Sequence, residues 1–548
     1  MSSENSTLLH DKPWWRGAVI YQVYPRSFFD SNADGIGDLP GITQKLHYIA
    51  NLGVDAVWIS PFFTSPMKDF GYDVSNYRDV DPLFGTLADF DALIARAHEL
   101  GLKIIIDQVL SHTSDQHSWF QESRQSRDNP KADWYVWSDA KPDGSPPNNW
   151  LSVFGGGAWQ WHEPRKQYYL HNFLSSQPDL NFHCRALRQQ ILAEVEFWLQ
   201  RGVDGLRLDA INFCFHDAQL RDNPPKPPEK RKARGFSSEN PYAAQSHLYD
   251  NTQPENLVFL EELRALLNKY PERMSLGEIN SEDSLATTAE YTSGSKRLHM
   301  GYSFELLSSE FSADYIRETV DGLNQQLPDG WPCWALSNHD VMRVVTRWGK
   351  DHNSTDFAKM ALALLASLKG TVCMYQGEEL GLPEAEIAQH ELQDPFGIEF
   401  WPAFKGRDGC RTPMPWEQNA QHGGFSTAAA TWLPLATTHL PLAVDMQQRD
   451  PKSVLNFASA FFSWRKDQAA LLCGDMHFLA SDNNTLRFTR EIDQQKMLCC
   501  FNLNAESVSI NFPENGQVVL GTEIATEAAA GETYVLPAYG FVFVELRC

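Results

Sequence analysis

Eight short runs rich in β-branched residues recur through the first two-thirds of the chain, and they restrict the possible folds more than any other feature. Polar loops and amphipathic segments such as Leu87–Leu100 and Leu187–Arg201 separate many of them. Strands that alternate with helices form parallel βαβ units, and eight such units can close into a barrel. We predict an α/β fold, a (β/α)8 TIM barrel, with strands at Ala18–Val23, Ala56–Ser60, Lys103–Val109, Gly205–Asp209, Met274–Glu278, Gly301–Glu305, Pro332–Ser337 and Thr371–Tyr375.

This alternation is interrupted once and then ends. Residues 113–178, between the third and fourth runs, form a segment too long for one crossover between strands. The segment is rich in Trp, Gly, Pro and Asn, and we predict that it forms an inserted domain, here called domain B. Beyond about residue 470, seven strand-like runs separated by turn residues predict a C-terminal antiparallel β-sandwich. The predicted domains are a barrel of residues 1–112 and 179–470, domain B at 113–178 and domain C at 471–548.

The charge balance and the cysteines narrow the possible functions. Lys and Arg number 46 against 70 Asp and Glu, a net charge of −24, and so acidic a chain repels phosphate backbones, so we expect no nucleic-acid partner. Nine cysteines without a CxxC pair predict reduced thiols. The first residues, MSSENSTLLHDKPWW, lack the features of a signal peptide, and no apolar run approaches the ~20 residues of a membrane span. We expect a cytoplasmic monomer or small homo-oligomer with no membrane contact.

Charged residues cluster where the predicted strands end. In a barrel of this kind the active site lies at the C-terminal ends of the strands. Each such residue alone could be a solvated cap, but crowded carboxylates cost stability and are usually kept for function. The residues at this rim are Asp107, His112, Arg207, Asp209, Glu278, His339 and Asp340.

A pair of carboxyl groups in opposite protonation states can cleave an acetal, because one attacks carbon while the other protonates the leaving oxygen. Arg207 precedes Asp209 by two residues and would hold it ionised. Glu278 lies between Leu276 and Ile279, an apolar setting that favours the protonated form. A catalytic metal site is the competing interpretation, but no HxH or HExxH spacing supports it, and Arg207 would repel a metal ion.

The segment from Asp30 to Asp38 alternates oxygen-bearing side chains and places Gly35 sixth, like the start of an EF-hand loop. Its twelfth position is Gly41 and the segment before it is strand-like, so it is not an EF-hand. An Asx-rich turn without metal is the alternative. The predicted cofactor is a structural divalent cation, Ca²⁺ or Mg²⁺, with no organic cofactor, and the predicted ligands are Asp30, Asn32, Asp34, the Ile36 carbonyl and Asp38.

Five motifs in order, DQVLSH, QPDLN, GLRLDAINF, LGEIN and SNHD, resemble those of the α-amylase superfamily, glycoside hydrolase family 13. QPDLN, the oxygen-rich loop and GCRTPMPW resemble its α-glucosidase and oligo-1,6-glucosidase branch. The resemblance covers essentially the whole chain. It implies that Asp209 is the nucleophile, that Glu278 is the general acid/base, and that Asp340 grips sugar hydroxyls and distorts the ring.

The same resemblance implies a set of substrate-binding residues. His112 and His339 would hydrogen-bond the glucose, and Arg207 would support the nucleophile. Asp69 and Tyr72 of KDFGYD match the pair that closes the non-reducing end. The remaining implied contacts are Arg411, a sugar-contacting arginine, and the pocket walls Phe154, Phe173 and Phe304.

The implied activity is that of a retaining, exo-acting α-glucosidase on short substrates such as maltose. A covalent glucosyl-enzyme would form, and hydroxyl acceptors replacing water would give transglucosylation. In this branch Val after the nucleophile accompanies α-1,6 cleavage, so Ala210 favours α-1,4 substrates. Domain B and a loop at about 215–256 should close the pocket, and the run KPPEKRKARG in that loop could form a lid or a solvated loop.

Two kinds of alternative stay open. Oligo-1,6-glucosidases, sucrose hydrolases and trehalose-type isomerases share the strand-end residues, so the sequence separates them poorly. A non-catalytic partner-binding subunit of the superfamily usually lacks part of the carboxylate trio and has a membrane span, whereas here the trio is complete.

Overall fold

The computed structural model describes residues 12–231, 240–327, 330–350, 354–480, 484–511, 516–522 and 533–546. Its strands up to residue 278 are β1 Val19–Val23, β2 Ala56–Ile59, β3 Phe63–Thr64, β4 Asn76–Val80, β5 Lys103–Val109, β6 Trp137–Ser138, β7 Trp159–His162, β8 Gln167–Leu170, β9 Gly205–Asp209 and β10 Met274–Glu278. The later strands are β11 Met300–Ser303, β12 Pro332–Ala335, β13 Thr371–Tyr375, β14 Asp475–Phe478, β15 Thr485–Ile492, β16 Gln495–Asn502, β17 Val508–Asn511, β18 Gly516–Gly521, β19 Thr533–Leu536 and β20 Phe541–Leu546.

Eight parallel strands close a barrel in the order β1-β13-β12-β11-β10-β9-β5-β2, which confirms the predicted fold class. The observed strands agree with the predicted runs to within two residues. The sixth run ends at Ser303 rather than at Glu305, because Phe304 turns to helical angles and a 3-10 turn follows at Glu305–Leu307. The seventh run ends at Ala335 rather than at Ser337.

Helices cover the outside of the barrel, and their sequences explain where they begin. Thr86 and Asp89 form a capping box at the start of Leu87–Glu99, which satisfies two backbone N–H groups at once. Side chains also cap several other helices, Asp38 among them. The α-helices are Leu39–Asn51, Leu87–Glu99, Ser118–Ser123, Arg185–Gln200, Asn256–Leu267, Ser284–Thr292, Ala313–Gln326, Val344–Arg347, Thr355–Leu365, Pro395–Phe400, Val444–Arg449, Val454–Arg465 and Ala469–Cys473.

The segment between β5 and β9 forms a small sheet of its own, in the order β6-β8-β7. Its apolar centre consists of Val136, Trp150, Ala158, Trp159 and Leu170. Single bridges from His112 to Asp179 and from Tyr135 to Leu180 tie this sheet to the end of β5. The inserted segment therefore lies over the C-terminal ends of the barrel strands.

The C-terminal strands form an antiparallel five-stranded sheet, β14-β15-β16-β20-β18, and a two-stranded sheet, β17-β19. One apolar cluster joins residues of both sheets, including Leu498, Ile510 and Val544. Within the described residues eight cysteines are free and most are buried, as the sequence predicted. No helix among these residues combines the length and the apolar character needed to cross a membrane.

Candidate active site

A pocket of about 130 Å³ opens at the C-terminal ends of the barrel strands. The inserted segment supplies part of its wall through Val153, Phe154 and Phe173. Among the residues predicted from the sequence, those that line the pocket are Asp69, Tyr72, His112, Phe154, Phe173, Asp209, Glu278, Phe304 and Asp340. Arg207, His339 and Arg411 lie behind this surface and contact residues that line it.

Arg207 joins three carboxyl groups below the pocket. Its side chain is fully buried and lies over the Trp58 ring, 4.9 Å from the ring centre. Nη1 donates to Asp107 at 2.9 Å and to Asp209 at 2.7 Å, and Nη2 lies 2.6 Å from Glu278 Oε1. The planar guanidinium can serve several acceptors in fixed directions, so it holds the ends of β5, β9 and β10 in register.

Asp209 and Glu278 differ in their affinity for a proton. Burial raises the pKa of Asp209 to about 6, although Arg207 and a hydrogen bond with Glu278 lower it. Burial raises the pKa of Glu278 to about 8 against the opposing charge of Arg207, and the charges of Asp209 and Asp340 raise it further. At neutral pH, Glu278 is therefore protonated and Asp209 is ionised. This is the division of states that acid-assisted acetal cleavage requires.

Asp340 stays ionised at the opposite wall. Burial alone would raise the pKa of Asp340, but His339, Arg407 and Arg411 outweigh it and hold the pKa below its usual range. Arg411 Nη2 donates to Asp340 Oδ1 at 2.8 Å, and Arg407 Nη1 donates to the same oxygen at 3.2 Å. Asp340 thus offers the pocket a fixed negative charge.

His339 and Tyr72 form a second buried layer. Their rings stack with centres 5.4 Å apart, and the Tyr72 hydroxyl hydrogen-bonds His339 Nε2. Gln22 contacts the other ring nitrogen at 2.8 Å. Burial lowers the pKa of His339 to about 3 and that of His112 to about 4, so both imidazoles are neutral at pH 7.

An ion-pair network closes one end of the pocket. Arg407 Nη2 donates to Asp69 Oδ1 at 2.9 Å and to Asp394 Oδ1 at 2.8 Å. The same guanidinium lies 5.4 Å from the Phe154 ring centre, and Phe154 in turn contacts Phe396. Burial raises the pKa of Asp69 to about 6, opposed mainly by Arg407. A sugar that reaches this end meets charged and aromatic side chains.

Several residues that line the pocket were not predicted from the sequence: Val153, Phe213, Asn280, Val341, Phe396 and Arg407. Arg407 lies four residues before Arg411 and just before the GCRTPMPW motif. Its position next to that motif was the sequence signal that could have identified it. Phe396 belongs to the short helix Pro395–Phe400. So short a helix shows no hydrophobic periodicity from which the position of Phe396 in the pocket could have been predicted.

The loop at about 215–256 is described at residues 215–231 and 240–256. No residue in these two ranges lines the pocket, although Asn240 Nδ2 donates at 2.7 Å to the carbonyl of Val153, which does. The expectation that the loop helps to close the pocket therefore stays a prediction. The loop also packs against the inserted segment, where Trp150 Nε1 donates to the Arg221 carbonyl at 2.8 Å. Lys226 pairs with Glu282 at 2.7 Å. Residues 232–235 of the proposed lid sequence lie outside the described residues.

A larger cavity, of about 800 Å³, adjoins the first. Phe304, Asp340 and Val341 line both cavities and therefore form the boundary between them. Arg347 and residues from 384–409 contribute to the remaining walls of the larger cavity.

The loop from Asp30 to Asp38 offers only oxygen donors, which suits a hard cation. Its carboxylates, however, are engaged within the protein: Asp30 accepts from the N–H groups of Asn32, Ala33 and Gly35, and Asp38 caps the next helix through Gly41 N. In the described part of the chain no three or more His, Cys, Asp or Glu side chains are grouped so as to hold a metal ion. Cation binding therefore stays a prediction.

Comparisons with known proteins agree with this geometry. Residues 22–474 match the α-amylase catalytic domain, and residues 476–543 match the maltogenic amylase C-terminal domain. A protein of Rhizobium meliloti (strain 1021) named "Probable alpha-glucosidase" is 54% identical over 553 residues, covering 100% of both chains. An "Oligo-1,6-glucosidase" of Heyndrickxia coagulans is 36% identical over 554 residues, covering 93% of this chain and 95% of that one.

A solved structure gives the same result. The α-glucosyl transfer enzyme XgtA superposes with a TM-score of 0.95 at 61% identity, covering 98% of this chain and 100% of that one. The five ordered motifs, the closed barrel and these matches lead to one assignment: the chain belongs to the α-amylase family, glycoside hydrolase family 13.

Proposed function

We propose that the protein is a retaining, exo-acting α-glucosidase that releases terminal α-1,4-linked glucose from short substrates such as maltose. The observation that carries the proposal is the pair Asp209 and Glu278, which line one pocket and are both held by the Arg207 guanidinium, at 2.7 Å and 2.6 Å. Their pKa values are about 6 and about 8. Two carboxyl groups that share one guanidinium lie close together, and a short separation supports retention over inversion.

In the first step, Glu278 donates its proton to the glycosidic oxygen while Asp209 attacks the anomeric carbon. The bond to the leaving group breaks and an ester bond to Asp209 forms, which gives a covalent glucosyl-enzyme. Arg207 holds Asp209 Oδ1 at 2.7 Å and thereby orients the attacking carboxylate. The charge of Asp340 favours the positive character that the sugar ring develops in the transition state.

In the second step, Glu278 acts as a base. Its carboxylate takes a proton from water, the water oxygen attacks the anomeric carbon, and Asp209 leaves as a carboxylate. A hydroxyl compound in place of water gives transglucosylation. The adjoining cavity supports this part of the proposal, because it provides space for a second molecule beyond Phe304 and Asp340.

Exo-action is supported by the Asp69–Arg407 ion pair at 2.9 Å, which blocks the pocket behind the terminal sugar. The preference for α-1,4 linkages is supported only by Ala210, a small residue that lines the pocket. Oligo-1,6-glucosidase action is the second candidate, because a relative of that name matches nearly the whole chain. A structural divalent cation in the Asp30–Asp38 loop is a further part of the proposal and takes no part in these steps.

The deciding experiment measures initial rates on maltose, isomaltose, sucrose, trehalose and p-nitrophenyl α-glucoside, with the anomer of released glucose followed by NMR. Fast maltose cleavage with α-glucose as first product is the expected result. Faster isomaltose cleavage would favour the second candidate, and β-glucose as the first product would exclude retention. Absence of cleavage of every α-glucoside would refute the proposal.

A further inference from the structure

Arg347 is a buried arginine whose hydrogen-bond partners are backbone carbonyls. It ends the short helix Val344–Arg347 and is 9% exposed. Among the described residues no carboxylate lies within ion-pair distance of it. Burial lowers the pKa of Arg347 to about 10, against the opposing charges of Glu378 and Glu384, so it remains charged at neutral pH. A charged group is costly to bury, and the direct partners that compensate Arg347 are the carbonyls alone.

The four carbonyls that Arg347 reaches belong to two different loops. Nε donates to Ser308 O at 3.0 Å and Nη2 to Leu306 O at 3.3 Å, in the loop after β11. Nη1 donates to Met342 O and Nη2 also to Leu336 O, on either side of the loop after β12. One guanidinium thus holds two neighbouring loops at a fixed separation.

Each of these loops bears one side of the boundary between the two cavities. Phe304 immediately precedes the turn Glu305–Leu307, and Asp340 and Val341 lie between the two carbonyls of the second loop. All three residues line both cavities, and Arg347 itself lines the larger one. The width of the opening between the cavities therefore depends on the spacing that Arg347 sets.

We propose that Arg347 is a positioning residue that fixes the opening between Phe304 and Asp340, and thereby selects which hydroxyl compounds receive the glucosyl group. The inference rests on the proposed function and adds to it a determinant of acceptor size. Arg347 touches no reacting atom; it acts through the two loops.

Lysine cannot replace this arginine. Its ammonium is a compact charge with three donors, whereas the guanidinium presents five N–H groups in a rigid fork. Arg347→Lys keeps the charge but leaves part of the carbonyl set without a donor. Trp348 Nε1 also donates to Ser308 O, at 2.8 Å, so the first loop keeps one tie in this variant.

Arg465 provides a matched control. It is 1% exposed, burial lowers its pKa to about 10, and it donates to the carbonyls of Ala366 at 2.6 Å and Gly17 at 2.7 Å. It lines neither cavity. Arg465→Lys should therefore lower stability through the same chemistry without changing the opening.

The test uses p-nitrophenyl α-glucoside as donor with ethanol or benzyl alcohol as acceptor. The amounts of p-nitrophenol and glucose released give the ratio of transfer to hydrolysis. This ratio does not depend on how much of the enzyme is folded. We expect Arg347→Lys to change the ratio for benzyl alcohol by about fivefold, the effect of one lost hydrogen bond, and to change the ratio for ethanol much less. Arg465→Lys should leave both ratios unchanged while lowering Tm.

If the wild-type enzyme transfers glucose and Arg347→Lys leaves both transfer-to-hydrolysis ratios unchanged, this inference is overturned while the proposed function stands. A wild type that releases no p-nitrophenol would overturn the proposed function and the inference with it. Should Arg347→Lys fail to fold, Arg347→Gln tests the same point, because its amide offers the carbonyl set only two N–H donors. A changed benzyl alcohol ratio in that variant would support the inference, and an unchanged ratio would refute it.

Discussion

The pH dependence expected for the proposed first step follows from the two carboxyl groups in the pocket. The pKa of Asp209 is about 6 and that of Glu278 is about 8, and burial is the main cause of both values. As the pH falls through 6, Asp209 binds a proton and can no longer attack. As the pH rises through 8, Glu278 loses the proton that the leaving group needs. Activity therefore requires the interval between the two values.

The size of the effect can be worked out from these values. At pH 7 each group is about 90% in its productive state, and at pH 5 or pH 9 the productive fraction falls to about a tenth. We expect kcat/KM for maltose to follow a bell centred near neutral pH, with limbs close to 6 and 8.

Glu278→Gln tests the assignment of the alkaline limb. The amide cannot donate a proton to the leaving oxygen, so maltose turnover should fall by about 10² to 10⁴. p-Nitrophenol is a far better leaving group, so this variant should still release it from p-nitrophenyl α-glucoside in a first-step burst. The pH profile of that burst should lack the limb near pH 8. A wild-type profile that is flat from pH 5 to 9, or a limb near 8 that survives in Glu278→Gln, would refute the reasoning.

Four further changes test other parts of the site. Asp209→Asn should abolish turnover of every α-glucoside while circular dichroism and Tm stay near wild type; retained turnover would mean a different nucleophile. Asp69→Asn should raise KM for maltose roughly tenfold through loss of one charge-assisted hydrogen bond, with kcat changed less. It should also remove the rise in wild-type KM expected as the pH falls through 6, where Asp69 is protonated; a pH-dependent KM that persists would contradict this. Ala210→Val should raise the isomaltose-to-maltose ratio, and an unchanged ratio would remove the basis for α-1,4 preference. Because Ala210 has a φ of +40°, which β-branched residues rarely adopt, Val should also lower the free energy of unfolding in a denaturant titration. Added Ca²⁺ or Mg²⁺ should raise Tm with rising concentration after EDTA treatment, and Asp30→Asn should abolish that response; an equal response would place the cation elsewhere.

The strands could be predicted because each one is a compact β-branched run whose end is marked by a polar residue. Asp209 and Glu278 could be placed at the same rim because parallel strands bring their C-terminal ends to one side of a barrel. The order of their pKa values was also foreseeable, since Arg207 lies two residues from Asp209 and apolar residues flank Glu278. The structure adds that Arg207 contacts both groups and that burial dominates both pKa values.

The closed end of the pocket was less accessible to sequence reasoning. Asp69 and Tyr72 were predicted to close the non-reducing end, and both line the pocket. The sequence did not show that the ion-pair partner of Asp69 is Arg407, which lies 338 residues further along the chain. Nor did it show that the Tyr72 hydroxyl contacts His339 and Asp107. Irregular loops without periodicity carry both Arg407 and Phe396, and only tertiary contacts determine which of their side chains face the pocket.

The Asp69–Arg407 closure also fixes the order in which products can depart. A sugar held against the closed end must leave through the same mouth that admitted the substrate, and the leaving group lies between it and that mouth. The leaving group therefore departs first and glucose last. Under the proposed retaining mechanism, accumulating glucose would compete with substrate for the empty enzyme. An accumulating leaving group would instead compete with water for the glucosyl-enzyme and regenerate the starting glucoside. The two products of one cleavage thus slow the enzyme at different points of its cycle.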